Sequence, residues 1–237
     1  MTTAKPVAPN ENHETDEIPP LWFDVPEGFF SLPLAATPEE RSASAHDFVR
    51  GLYSQGDESI WTPAAPYYAA ISEFLVDGGL SYSAVGLFST EEEGAAQCAF
   101  TVAALQNDLP DPATAAEGIL TVLSSDPLND ARPMDLPCGP AVSCITLREI
   151  VVSPDISATG EESKLLTGQI QVHIPFPTGP YTAIFTLHTA SMDYWGEFCD
   201  MTTAILQTVS FTDPDPASAE DVGATPAALT LSPAQPS

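Results

Sequence analysis

Positive charge is what this chain has least of. Six Lys and Arg stand against 33 Asp and Glu, a formal net charge of −27 over 237 residues. Such a field repels nucleic acid and anionic lipid, so neither is expected as a partner. A site clamping a phosphate or carboxylate substrate would have to draw on Lys5, Arg41, Arg50, Arg132, Arg148 or Lys164. Long apolar runs are also missing. None approaches the ~18 residues of a membrane helix, so no membrane insertion is expected. The opening "MTTAKPVAPNENHETDE" lacks the apolar segment of a secretion signal, which makes the cytoplasm the expected location.

Cysteine is scarce, with four residues and no Cys-x-x-Cys. Nor is there a His-x-x-x-His pair, so the spacings of a zinc site are absent. No Gly-x-Ser-x-Gly, phosphate-binding glycine loop or calcium loop occurs. "YSQGD" (Tyr53–Asp57) matches a loose export pattern, but in the wrong chain context. These gaps leave no candidate catalytic residue, cofactor or metal, and the chain is not expected to be an enzyme.

What is present is a core. Apolar residues make up 43% of the chain. Residues 1–18 are polar and 213–237 are rich in Pro, Ala and Ser, so both read as disordered arms flanking a domain over 19–212. In that domain "LWFDVPEGFFSLPL" reads as a short strand, a turn and an extended piece. Thr37, Pro38 and Glu40 then open a capped helix with Ala45, Phe48, Val49 and Leu52 on one face. A second helix is predicted over 63–77, capped by Thr62, with Tyr67, Ile71, Phe74 and Leu75 as its buried stripe and Gly78-Gly79 as its stop. Two strands around "TEEEG" follow as a hairpin. Asp111-Pro112 begins a third helix with Ala116, Ile119, Leu120 and Leu123 inward. Strands are expected near 132–136 and 140–152, then a hairpin of "LLTGQIQVHIPFP" and "YTAIFTLHTA". A last helix spans about 192–208, with Trp195, Phe198, Cys199, Thr202, Ile205 and Leu206 on one face, and "TVSF" closes the domain. Strands grouped centrally with helices around them give an α+β class, an antiparallel sheet of about six strands flanked by about four helices.

"LPCGPAVSC" (residues 136–144) holds two of the four thiols. Extended, Cys138 and Cys144 are ~20 Å apart at about 3.3 Å per residue, whereas a disulfide needs Cα atoms within about 7 Å. A bridge between them therefore requires a tight turn at Gly139-Pro140. A bridge from either to Cys98 is the alternative, and the bland reading is small apolar strand residues. His173 and His188 lie at unequal distances from their hairpin turn and should not face each other. Of the adjacent tyrosines in "PYYAA", Tyr67 fits the inward stripe, so Tyr68 is the expected exposed one. With the solvated Glu91, Glu92 and Glu93 of "TEEEG", it forms a candidate partner-binding surface.

Several segments resemble a known pattern. "FDVPEGFFSLPL" before a capped helix, "LPCGPAVSC", and "VHIPFPTGPYTAIFTLHTASMDYWGEF" are similar to an actinobacterial family of small uncharacterised proteins. The strand and helix order also resembles the fold shared by PsbP, Mog and LpqN, which are accessory or binding proteins rather than enzymes with a common site. The resemblance implies that fold and an accessory role, and it carries no functional residue. No cysteine stands near the start of the sequence, so the cell-envelope role of the lipoprotein branch is not expected here. The expected function is a non-catalytic accessory or adaptor protein, meeting a protein partner with a basic face through an acidic surface. The alternatives are an immunity protein or assembly component of a secretion or injection particle, and an enzyme with an unrecognised site.

Overall fold

Long runs of alternating apolar and polar residues favour strands with two unlike faces, and strands dominate the computed structural model. It describes residues 18–35, 37–90, 94–107, 109, 111–155, 157, 159–212 and 227–229. The elements run β1 (Leu21–Phe23), β2 (Phe29–Ser31), α1 (Pro38–Leu52), α2 (Glu58–Asp77), β3 (Leu80–Ser89) and β4 (Ala95–Gln106). Then come α3 (Pro112–Leu123), β5 (Asp130–Leu136), β6 (Gly139–Val152), β7 (Ser163–Pro175), β8 (Tyr181–Thr189), α4 (Trp195–Gln207) and β9 (Ala227–Leu229). A 3-10 turn at Met192–Tyr194 leads into α4.

The protein is α+β. Its sheet has seven antiparallel strands in the order β2-β3-β4-β8-β7-β6-β5. The strand beyond the expected six is β2, where Phe29–Ser31 pairs with Ala84–Gly86. A separate two-stranded ribbon joins β1 to β9, so a piece of the 213–237 stretch is extended and paired. Residues 1–17, 213–226 and 230–237 lie outside the described residues.

Directly opposed residues share a face, so the register sorts the sheet. Phe100 opposes Leu187 and Val102 opposes Phe185, while Val172 opposes Phe185 and Ile170 opposes Leu187. This first face is dry. α4 contacts β7 and β8, and its Phe198, Ile205 and Leu206 join the core there, as do Leu21 and Phe23 of β1. Phe23 is the hub of that core. Its ring stands edge-on to Tyr82 at 5.3 Å, to Phe185 at 5.3 Å and to Phe100 at 6.2 Å, the geometry aromatic quadrupoles prefer.

The second face carries a smaller core, with Leu32, Ala45, Phe48, Val49, Leu52 and Ala65 buried together and Val85 and Leu87 of β3 packed against them. α1 starts as its sequence dictates. Thr37 Oγ1 accepts from the Glu40 amide at 3.3 Å and donates to the Glu40 carboxylate at 2.9 Å. α2 departs from expectation in two ways. It begins at Glu58, because Asp57 is the cap and accepts from the Ser59 amide at 2.9 Å, and it runs through Pro63 and Pro66. It is also rotated. Ala65 and Ser72 are buried, while Tyr67 and Phe74 are 73% and 76% exposed. Small residues let α2 approach α1 closely, and polar pins fix the rotation. Trp61 Nε1 donates to Tyr53 O at 2.9 Å, Ser72 Oγ to Pro33 O at 2.7 Å, and Arg41 pairs with Glu73 at 3.4 Å.

Gly168 of β7 lies directly under the Trp195 ring, where any Cβ would run into it. Gly168→Val is expected to lower stability by about 1–3 kcal/mol through overpacking. Denaturant unfolding of Gly168→Val in the wild-type chain and in a Trp195→Leu background, each against its own parent, checks the cause. The glycine substitution should cost less than half as much once the indole is gone.

Candidate functional site

The two helical layers of the second face leave its middle open. α1 and α2 pack over the β2–β3 edge, and α3 over β5, β6 and β7. Between them three cross-strand rows remain. Ala99, His188 and Gln169 form one, Thr101, Thr186 and Gln171 the next, and Ala103, Ile184 and His173 the third. The rows continue into β6 as Thr146, Cys144 and Val142, which lie nearer α3. The strip is thus polar at its centre and half-buried, with His188 exposed.

His173 ends this strip in a recess of about 360 Å³ under α3. Ala115, Gly118, Ile119 and Val122 of α3 fall on one helical stripe and make its wall. Asn107 and Leu109 close one end. Asn107 is held by Nδ2 donating to Thr182 Oγ1 at 2.9 Å, while its Oδ1 accepts from the Leu109 amide at 2.9 Å. Gln171 Nε2 donates to Thr186 Oγ1 at 3.5 Å, which turns its Oε1 toward His173 Nε2 at 3.0 Å. His173 Nε2 therefore carries the proton, and Nδ1 is the bare acceptor. Burial pushes the His173 pKa down to about 4. The ring is neutral at physiological pH.

All four cysteines are free. Cys98 on β4 and Cys144 on β6 have β8 and β7 between them, a gap of three strand spacings or ~14 Å, too far for a bridge. The tight turn lies at Pro137-Cys138, with Leu136 opposite Gly139, not at Gly139-Pro140, so Cys138 and Cys144 stay six residues apart along an extended strand. Gly139 takes a φ of 137° to leave that turn, which suits glycine. Burial pushes the Cys98 thiol up to about 12 and raises Cys138 and Cys199, with Asp200 adding to the last. His173 opposes Ile184, and His188 opposes Gln169, so the histidines do not meet.

The partner-surface expectation needs correction at Tyr68. It packs on Phe48 with ring centroids 4.9 Å apart and meets Tyr53 Oη at 3.1 Å. Burial raises its pKa, with the Tyr53 hydrogen bond adding to the shift. The exposed large apolar residues of α2 are Ile60, Tyr67, Ile71 and Phe74 instead. Glu91, Glu92 and Glu93 lie outside the described residues. The sequence had flagged the 67/71/74 spacing, but as a buried stripe. The recess it missed, because its wall and floor come from elements some 50 residues apart.

Among the described residues no group of three or more His, Cys, Asp or Glu is placed to hold a metal ion, and no helix is long and apolar enough to cross a membrane. Arg41, Arg50, Arg132 and Lys164 are each paired with a carboxylate. Comparison with protein-family models, curated proteins and solved structures finds no match to the chain.

Two outcomes are expected. Ellman's reagent should label Cys138 and Cys199 slowly in the native protein and reach Cys98 and Cys144 only on unfolding. Rapid native labelling at Cys98 would contradict the burial. The second concerns acid. With a folded pKa of about 4 against about 6.5 unfolded, the unfolded state binds the extra proton, so stability is lost as pH falls from 6.5 toward 4. The loss at His173 is on the order of 3 kcal/mol. The stability difference between wild type and His173→Phe, measured by denaturant unfolding at pH 7 and pH 4.5, should shift toward the variant at low pH.

Proposed function

We propose that the protein is a non-catalytic accessory or adaptor domain that binds a protein partner through α2. The observation that carries this reading is the exposed ridge of Tyr67, Ile71 and Phe74. These residues fall at i, i+4 and i+7, the spacing of an anchor face that lies in another protein's apolar groove. Tyr is a frequent interface anchor, and aromatic residues are enriched at interface cores. Two aromatic residues and an isoleucine in line are more than a scatter of single exposed apolar residues.

Charge specifies the partner's rim. Asp57, Glu58, Glu73 and Asp77 lie on or cap α2, within a chain of net charge −27. The two cations beside it are engaged, Arg41 with Glu73 and Arg50 with Glu58, while Arg50 also sits 5.6 Å over the Trp61 ring. An apolar groove bordered by Lys or Arg complements this arrangement, and attraction would speed encounter at low salt. The resemblance to PsbP-type accessory proteins, held as a proposal, agrees with such a role, as does expected residence in the cytoplasm.

A photo-crosslinker placed at position 74 in the full chain tests the reading. One adduct should form in the native cell, absent when Tyr67 is changed to Glu and absent when the crosslinker is moved to exposed Asp135. With the captured partner purified, Phe74→Ala should weaken binding by about tenfold or more, and added salt should slow association. Adducts that form equally from positions 74 and 135 would overturn the proposal.

A further inference from the structure

We propose that the recess under α3 is a binding site for a small, uncharged, mainly apolar alcohol, aromatic or aliphatic, whose hydroxyl donates to His173 Nδ1. This does not rest on the partner reading, since the recess and the α2 ridge share no residue.

Three observations meet there. The first is size and lining. About 360 Å³ is within the range of small-molecule pockets, and Leu109, Ala115, Gly118, Ile119 and Val122 supply apolar walls. Val122 is 70% exposed, an apolar side chain that an occupant would cover. The second is the single directed acceptor. His173 Nε2 is committed to Gln171, while Nδ1 has no hydrogen-bond partner among the described residues and is not sealed from solvent. The third is that none of the described residues lining the recess is charged. A carboxylate or ammonium would lose its hydration with nothing among the described lining residues to replace it, so charged ligands are disfavoured. A hydroxyl is different, because it brings the one donor this acceptor lacks.

The chain prepares that acceptor in advance. Gln171 is oriented by Thr186 and in turn orients the imidazole. The opposite end is fixed by the Asn107 contacts to Thr182 and the Leu109 amide. A ligand would therefore meet a formed site and add little ordering cost. Gly118 is the point where the recess can be filled by substitution. A Cβ there meets Leu109 Cδ1 at an ordinary 3.5 Å, so a larger side chain enters the space without backbone strain.

The test uses 2-naphthol, naphthalene and 2-naphthoate with the full chain at neutral pH, followed by ligand fluorescence and by the 15N resonances of the His173 ring. 2-Naphthol is expected to bind with a dissociation constant below about 1 mM and to shift Nδ1 more than Nε2. Naphthalene should bind more weakly, and 2-naphthoate not measurably. His173→Phe should reduce 2-naphthol affinity about tenfold with naphthalene affinity little changed. Gly118→Leu should abolish both, its melting temperature confirming that it folds. Should either variant fail to fold, the wild-type ring resonances alone decide, because Nδ1 is the atom named. No saturable 2-naphthol binding to wild type, equal binding to Gly118→Leu, or an unmoved Nδ1 resonance would each overturn the proposal.

Discussion

The register of β4 on β8 and of β8 on β7 is the constraint on which the rest depends. A strand repeats every two residues, so a slip of one would exchange the faces completely. As registered, Phe100, Val102, Phe185, Leu187, Ile170 and Val172 meet on one side. Thr101, Thr186 and Gln171 meet on the other. The slipped alternative would press glutamines and His173 against α4 and leave phenylalanines in water. Burying each unpaired amide would cost roughly 1–3 kcal/mol, so the sequence holds the register firmly. β1 adds a lock, because Phe23 fits only among the rings that this register assembles.

A firmly closed first face frees the second from carrying the fold alone. Its two helical layers cover the sheet edges and leave the central strip to polar side chains. The strip tolerates this because its groups satisfy one another. Gln171 links Thr186 to His173, and Asn107 links Thr182 to the start of the α3 loop. Only Ser81 Oγ is buried without a partner among the described residues. Groups that are paired and half-exposed can stay open to a ligand without destabilising the domain.

Much of this was legible in the sequence, and the failures share a cause. β3, β4, β7 and β8 were read to within a few residues because alternation is a local signal carried by every residue in the run. The caps at Thr37 and Asp111 were read because a cap and its amide are three residues apart. The face of α2 was misread. Two apolar stripes compete on that helix, and the larger side chains at 67, 71 and 74 suggested burial. Helix pairs that approach closely instead bury Ala and Ser, and the pins that decide come from Pro33, Arg41 and Tyr53, outside the helix. The strands expected near 132–136 and 140–152 leave room for the turn that Pro137-Cys138 makes. The recess had no local signal at all. Its acceptor is defined by which nitrogen Gln171 engages, and Gln171 is set by a threonine on the neighbouring strand.

The ridge and the recess stand on separate helices, and the sheet is what relates them. α2 is anchored to α1 and to the segment before it, α3 to β5, β6 and β7. The ridge residues and the residues lining the recess are different sets. Coupling between distant sites needs an element with two discrete arrangements, and a seven-stranded sheet locked by its register is the least suited to supply one. The acidic field acts at long range on both, but in different senses. It favours a cationic partner at the ridge and disfavours anionic ligands at the recess. Ligand and partner should therefore bind additively, each changing the other's affinity by less than about twofold.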